Sequence, residues 1–223
     1  MRGAHREHAK AGRKRVSRPS RFDLIGGHPV LDLVNTVSWR GNSARRVERV
    51  PDFDALLAWS ARAGLISAAE LGRVSAAARV EHGRGARALT DTQWLRERLH
   101  EALTSSGPRR QQAIQLLWPQ LTSALRHAQP EGLPLQLAIE VHEPDDLTRR
   151  SALLALQFLT SDDVRLVKTC ADDDCGWVFL DRSRNRTRRW CSTADCGNRN
   201  RVRRYNARRA QGPVGEVSAA RGG

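Results

Sequence analysis

The chain contains four cysteines, Cys170, Cys175, Cys191 and Cys196, in two pairs. Four residues separate the members of each pair, and fifteen separate the pairs. Free thiols at such spacing suit a structural zinc site: each pair makes a tight knuckle presenting two thiolates, and the intervening chain folds back so that four sulfurs meet at tetrahedral geometry. The competing reading is a redox pair or disulfides. The basic start is followed by no apolar stretch of the kind a secretory signal needs, and no run approaches the ~18 apolar residues of a membrane helix. The chain therefore reads as cytoplasmic with no membrane partner, and in a reducing compartment paired cysteines favour one structural Zn2+ over disulfides.

Around the cysteines the sequence is dense in arginine. With 38 Lys+Arg against 24 Asp+Glu, the formal net charge is +14, a balance that attracts polyanions. Arginine also suits bidentate recognition of phosphate and guanine. The first knuckle carries Asp172, Asp173 and Asp174, which would repel phosphate and so should face away from nucleic acid. Arg184, Arg186, Arg188 and Arg189 follow as expected phosphate contacts. Arg199, Asn200, Arg203, Arg204 and Arg208 are expected on the exposed face of a final helix that approaches the bases of a nucleic acid. Aromatic rings interleaved in a basic surface would favour single strands. Here Trp177, Phe179 and Trp190 are expected to cover the metal, and Val202 and Tyr205 to anchor the helix.

The elements that must position these residues follow from periodicity and punctuation. A strand is expected at 176–181, a return strand at 188–190 and a helix from Cys196 through Ala210, giving knuckle, β-hairpin, knuckle, helix, as in a treble-clef finger. Before it, 22–163 reads as a mainly α domain with minor β. Pro29 opens a helix with apolar Val30, Leu33, Val34 and Val37, which leaves Asp32, Asn35 and Thr36 as polar groups beside a buried face. Asp32 and Asn35 could pin neighbouring loops or line a small-molecule effector pocket. Asp52 caps one helix and Ser67 with Glu70 forms a capping box for the next. Helices follow at 86–105, where Asp91 or Thr92 marks a break, and at 109–128, which Pro119 kinks or divides. The alternation of Leu133, Leu135, Leu137 and Ile139 predicts a half-buried strand. Asp145 or Asp146 caps a helix to about Thr160, and a short strand at 164–168 runs into Cys170. Residues 1–21 read as a disordered basic tail and 212–223 as a disordered tail, with 164–211 as the finger.

The C-terminal residues carry a specific resemblance. Cys175-Gly176-Trp177-Val178-Phe179-Leu180-Asp181, Arg188-Arg189-Trp190-Cys191-Ser192 and Cys196-Gly197-Asn198-Arg199 resemble the CGNR zinc-finger family. Leu31-Asp32-Leu33-Val34-Asn35-Thr36-Val37 with Trp39-Arg40 is similar to the start of the ABATE domain, which accompanies this finger in bacterial proteins regarded as stress-related transcription regulators. The resemblance implies that the four cysteines bind zinc and that the finger binds DNA, here expected as double-stranded DNA; the basic N-terminus lies outside the family pattern. No acid/base pair, phosphate loop, nucleophile elbow or metal-ligating His pair supports an enzyme, and His28, His82, His100, His127 and His142 are scattered. The reading is therefore a non-enzymatic regulator whose helical domain senses a small effector, with a homodimer through that domain as a further expectation. The alternatives are an RNA- or ribosome-associated protein, or an N-terminal enzyme localised by the finger.

Overall fold

The computed structural model describes residues 22–81 and 83–210. The two expected tails and His82 lie outside the described residues.

The N-terminal segment turns into α1 (Pro29–Val34), whose first turn takes Pro29 and whose Val30 N–H is capped by His28 Nδ1. The helix is shorter than its apolar spacing predicts: Asn35 is already its C-cap, and Val37–Ser38 become β1, paired antiparallel with β2 (Val47–Glu48). Next come α2 (Phe53–Arg62), capped by Asp52, and α3 (Ala68–Val80), which carries the Ser67/Glu70 capping box. Both starts were legible because capping is local.

Two long helices, α4 (Arg84–Thr104) and α5 (Gly107–His127), pack with α6 (Pro144–Thr160). Neither Asp91 nor Thr92 breaks α4: the Thr92 hydroxyl is buried against that of Thr148, 2.9 Å away. Pro119 sits inside an undivided α5. Pro119 and Gln115, whose carbonyl the missing N–H leaves unpaired, both lie on the exposed face, where water can satisfy it. The N-cap of α6 is Glu143 rather than Asp145 or Asp146; Asp146 takes the reciprocal position of the box. The predicted strand at 133–142 is a short hairpin of β3 (Gln129–Glu131) and β4 (Gln136–Ala138). Leu133 and Leu135 lie in its exposed connection, and only the later apolar residues reach the core.

Among the described residues three apolar clusters result. The largest joins α1, α4, α5 and α6 around Leu95, Leu99, Leu117 and Phe158. A second gathers α2, α3 and the start of α6 around Trp59, Leu56 and Leu147. The third is the cysteine cluster with Trp177 and Phe179. A 3-10 turn (Asp162–Leu166) leads into β5 (Val167–Thr169), which pairs antiparallel with β6 (Val178–Leu180). In β6 the side chains alternate: Phe179 faces the cysteines, whereas Val178 and Leu180 enter the largest cluster of the helical region. A single strand thus serves two cores.

Candidate metal centre and nucleic-acid interface

The first knuckle, residues 170–175, is the connection between β5 and β6. The hairpin therefore brackets the first cysteine pair and does not lie between the two pairs. The expected return strand at 188–190 is irregular, because side chains occupy the backbone groups that would pair. Buried Asp181 accepts from the Ser183 and Arg188 N–H groups and from Lys168 Nζ. Lys168, then Ser183, hold the Asp181 carboxyl well below the usual carboxylate range. Arg186 sits at φ 48° in the turn, and its carbonyl also accepts from Lys168 Nζ. Ala171 N–H donates to the Arg189 carbonyl at 2.8 Å, bringing the chain back beside the first knuckle.

The second pair is held by a wide turn, Thr193–Gly197, closed by Gly197 N–H donating to the Ser192 carbonyl five residues back. Ser192 caps it by accepting from Asp195 N–H. Helix α7 (Asn198–Ala210) leaves directly from this turn.

All four sulfurs lie within 4.8 Å of one another and all four cysteines are buried. Cys191 Sγ is 3.6 Å from Cys175 Sγ and 3.5 Å from Cys196 Sγ. A tetrahedral ion with ~2.3 Å metal–sulfur bonds requires sulfurs about 3.8 Å apart. Four thiols packed this tightly resist joint ionisation. Hydrogen bonding with Cys175 first pushes Cys170 down, and hydrogen bonding with Cys170 first pushes Cys191 and Cys196 up. A central dication reverses that resistance by favouring every thiolate. Donors are also aimed at the sulfurs: Arg199 Nη2 reaches Cys196 Sγ at 2.9 Å and Cys191 N–H reaches Cys170 Sγ at 3.5 Å. Such bonds fix ligand orientation and spread thiolate charge. Donor set, burial and spacing fit one structural zinc ion.

Residues 166–209 match the family model described as the CGNR zinc finger. No curated protein matches the chain. The CGNR finger of this chain is not a free appendage. Asn35, 2% exposed, bonds both backbone groups of Val178: Nδ2 donates to the carbonyl at 2.8 Å and Oδ1 accepts from the N–H at 2.9 Å. Trp177 Nε1 donates to the Val37 carbonyl at 2.9 Å. Leu180 N–H donates to the Gly26 carbonyl, and His100 Nε2 lies 3.1 Å from the Gly176 carbonyl. Burial, then the positive charge of Arg40, lowers the His100 pKa to about 4. The segment Trp39-Arg40-Gly41 lies along the first knuckle. Arg40 N–H donates to the Cys175 carbonyl and Gly41 N–H to that of Asp174. A side chain at Gly41 would place its Cβ 1.8 Å from the Asp173 carbonyl oxygen, so only glycine permits this approach. The Arg40 guanidinium is anchored bidentately on Glu97, at 2.6 and 3.1 Å. Trp39, at φ 59°, lies under the guanidiniums of Arg45 and Arg199, 3.6 and 4.3 Å from its ring.

The predicted site residues separate into two groups. Asp32 and Asn35 serve the fold. Asp32 Oδ1 accepts from Gly26 N–H at 2.8 Å, Asn35 is doubly bonded to Val178, and the space beside them is about 10 Å³, one water at most. Burial, opposed by the Gly26 and Ile25 N–H groups, raises Asp32 to about 6. Arg188 is also structural: it covers the Phe179 ring at 4.1 Å and donates to the Trp190, Leu180 and Cys191 carbonyls. Arg199 and Arg203 point back at the first knuckle. Buried Asp172 accepts from Arg199 Nε at 2.7 Å and Arg203 Nη1 at 3.2 Å, and Asp174 accepts from Arg203 Nη2 at 2.5 Å. The knuckle aspartates thus dock α7 through Arg199 and Arg203, two of the residues expected on its exposed face. Arg184, Arg186, Arg189, Arg204 and Arg208 are exposed, and Asn200 is half-buried.

Sequence reasoning missed Arg201, which shares a face of α7 with Arg204 and Arg208. Positions i, i+3 and i+7 fall on one side of a helix, opposite the Arg199/Arg203 side, so a helical wheel carries the signal. It also placed Val202 and Tyr205 as anchors, whereas they are 49% and 59% exposed. Helix α7 has no buried residue; ion pairs and Cys196 hold it. A cavity of about 240 Å³ opens where Trp39, Trp177 and Arg49 meet Cys191, Asp195 and Arg199. No helix among the described residues is long and apolar enough to cross a membrane.

Proposed function

We propose that this chain is a cytoplasmic, zinc-dependent DNA-binding protein that acts as a transcription regulator. The observation that carries the reading is α7: six of its thirteen residues are arginine, none is acidic and none is buried. Arg199 and Arg203 fasten the helix to the knuckle; Arg201, Arg204 and Arg208 remain outward to meet phosphates and base edges. Arg184, Arg186 and Arg189 extend the basic surface. Zinc, when bound, cross-links the two knuckles and fixes the start of α7. The four thiolates hold it, and the Arg199 and Cys191 donors orient them.

In the same reading, residues 22–163 are an ABATE-type sensing region that acts on the finger. The support is the shared strand β6 and the interlock at Trp39-Arg40-Gly41. The effector site is moved from Asp32 and Asn35 to the 240 Å³ cavity, which has walls from both regions. Exposed Trp118 and Leu125, seven apart on α5, support a homodimer through the helical region.

The test is selection of fragmented genomic DNA by the zinc-loaded protein against excess RNA and nonspecific DNA. A few enriched sites, lost with Cys191→Ser or strong chelation, are expected. Preferential capture of structured RNA would replace the DNA reading with the RNA- or ribosome-associated one.

A further inference from the structure

A second groove, of about 350 Å³, runs along the outward face of α7. Its walls are the rings of Trp190 and Tyr205 and the side chains of Arg201, Arg204 and Arg208. We infer that this groove takes an unpaired nucleobase, so that the finger prefers nucleic acid with an exposed base over a fully paired duplex. The inference rests on the nucleic-acid reading above and adds the form of strand recognised.

Tyr205 is the ring that sets this groove apart. It is 59% exposed on a helix that is otherwise mostly arginine, asparagine and alanine. A ring left in water amid cations has a face to offer, and one side of it is approached by Arg209, 5.8 Å from the ring centroid. Tyr205 lines the groove together with Arg201. A nucleobase stacked there would be flanked by cations on the same helix: Arg201 and Arg208, seven residues apart, are about 10 Å apart along the axis. That span reaches phosphates on both sides of one extruded nucleotide. Arg199 and Arg203 are already matched to Asp172 and Asp174, whereas Arg201, Arg204 and Arg208 of the groove have no carboxylate partner among the described residues. Bases inside a duplex stack on each other and cannot offer a face to Tyr205. An unpaired base can, and aromatic stacking of this kind is tolerant of base identity.

The test uses the full zinc-loaded chain and four labelled probes of one sequence, about twenty nucleotides long: a perfect duplex, the duplex with one central unpaired adenine, single-stranded DNA and single-stranded RNA. Fluorescence anisotropy is expected to show roughly tenfold tighter binding to the probes with unpaired bases. The ratio of the two single strands identifies DNA or RNA as the source. Tyr205→Phe should keep the preference and Tyr205→Leu should erase it while duplex affinity stays. Because Tyr205 is exposed, neither variant should unfold. Equal affinity for paired and unpaired probes overturns the inference and leaves arginine-based binding intact. Absence of binding to every probe overturns both.

Discussion

Asn35→Ala tests the coupling of the two regions most sharply. The side chain satisfies both backbone groups of Val178, which is fully buried within β6. Truncation orphans a donor and an acceptor that water cannot reach, at about 1–3 kcal/mol each. A small void adds to the cost, so the expected loss is about 3–5 kcal/mol. For a chain of this length, that lowers Tm by roughly 10 °C. The assay is equilibrium urea unfolding of the zinc-loaded protein, with zinc release followed by a chromogenic chelator. Because Val178 precedes Phe179 on the strand that covers the cysteines, zinc should also leave faster. Asn35→Asp offers a second reading of the same bonds. At neutral pH the introduced carboxylate faces the Val178 carbonyl, so the variant should be at least as unstable. It should recover as pH falls and the carboxyl becomes a donor again. A loss below about 1 kcal/mol for Asn35→Ala, with zinc release unchanged, would refute the reasoning. Such a result would return Asn35 to the pool of ligand-facing residues.

Three further outcomes follow from the same geometry. Gly41→Ala drives a methyl group into the Asp173 carbonyl and should destabilise by a few kcal/mol, with first-knuckle amides losing hydrogen-exchange protection before those of α5. Strong chelation should lower the single thermal transition of the whole chain, without melting the finger alone, because Val178 and Leu180 belong to the helical core; calorimetry distinguishes the two. Folding raises the Asp32 pKa to about 6. Its contribution is therefore fully present below about pH 4 and is lost as pH rises through about 6, on the order of 2–3 kcal/mol. Asp32→Asn should flatten the stability profile across that window.

What could be read from the sequence was local. The metal site followed from the spacing of Cys170, Cys175, Cys191 and Cys196 within one short segment. The starts of α2 and α3 followed from Asp52 and Ser67/Glu70, whose bonds span three residues. The pairing of β5 with β6 around the first knuckle was not legible: Val178-Phe179-Leu180 reads as a strand whichever partner it takes, and the Asp181 side chain decides against the downstream one. Nor was the division of the arginines legible. Arg199 and Arg203 differ from Arg201 and Arg204 only in helical phase, and that phase acquires meaning when Asp172 and Asp174 lie on one side. The Trp39-Arg40-Gly41 interlock read as the edge of a polar loop, because its partners in the first knuckle are more than a hundred residues away.

In the proposed function the outward face of α7 binds nucleic acid while its inward face only docks the helix. The direct measurement is the salt dependence of DNA binding by the wild-type chain and by the triple variant Arg201→Gln, Arg204→Gln, Arg208→Gln. None of the three is buried, so the variant should fold and keep its zinc. Weaker binding is expected, with a log–log salt slope reduced by about three. Unchanged affinity and slope in a folded, zinc-loaded variant would contradict it.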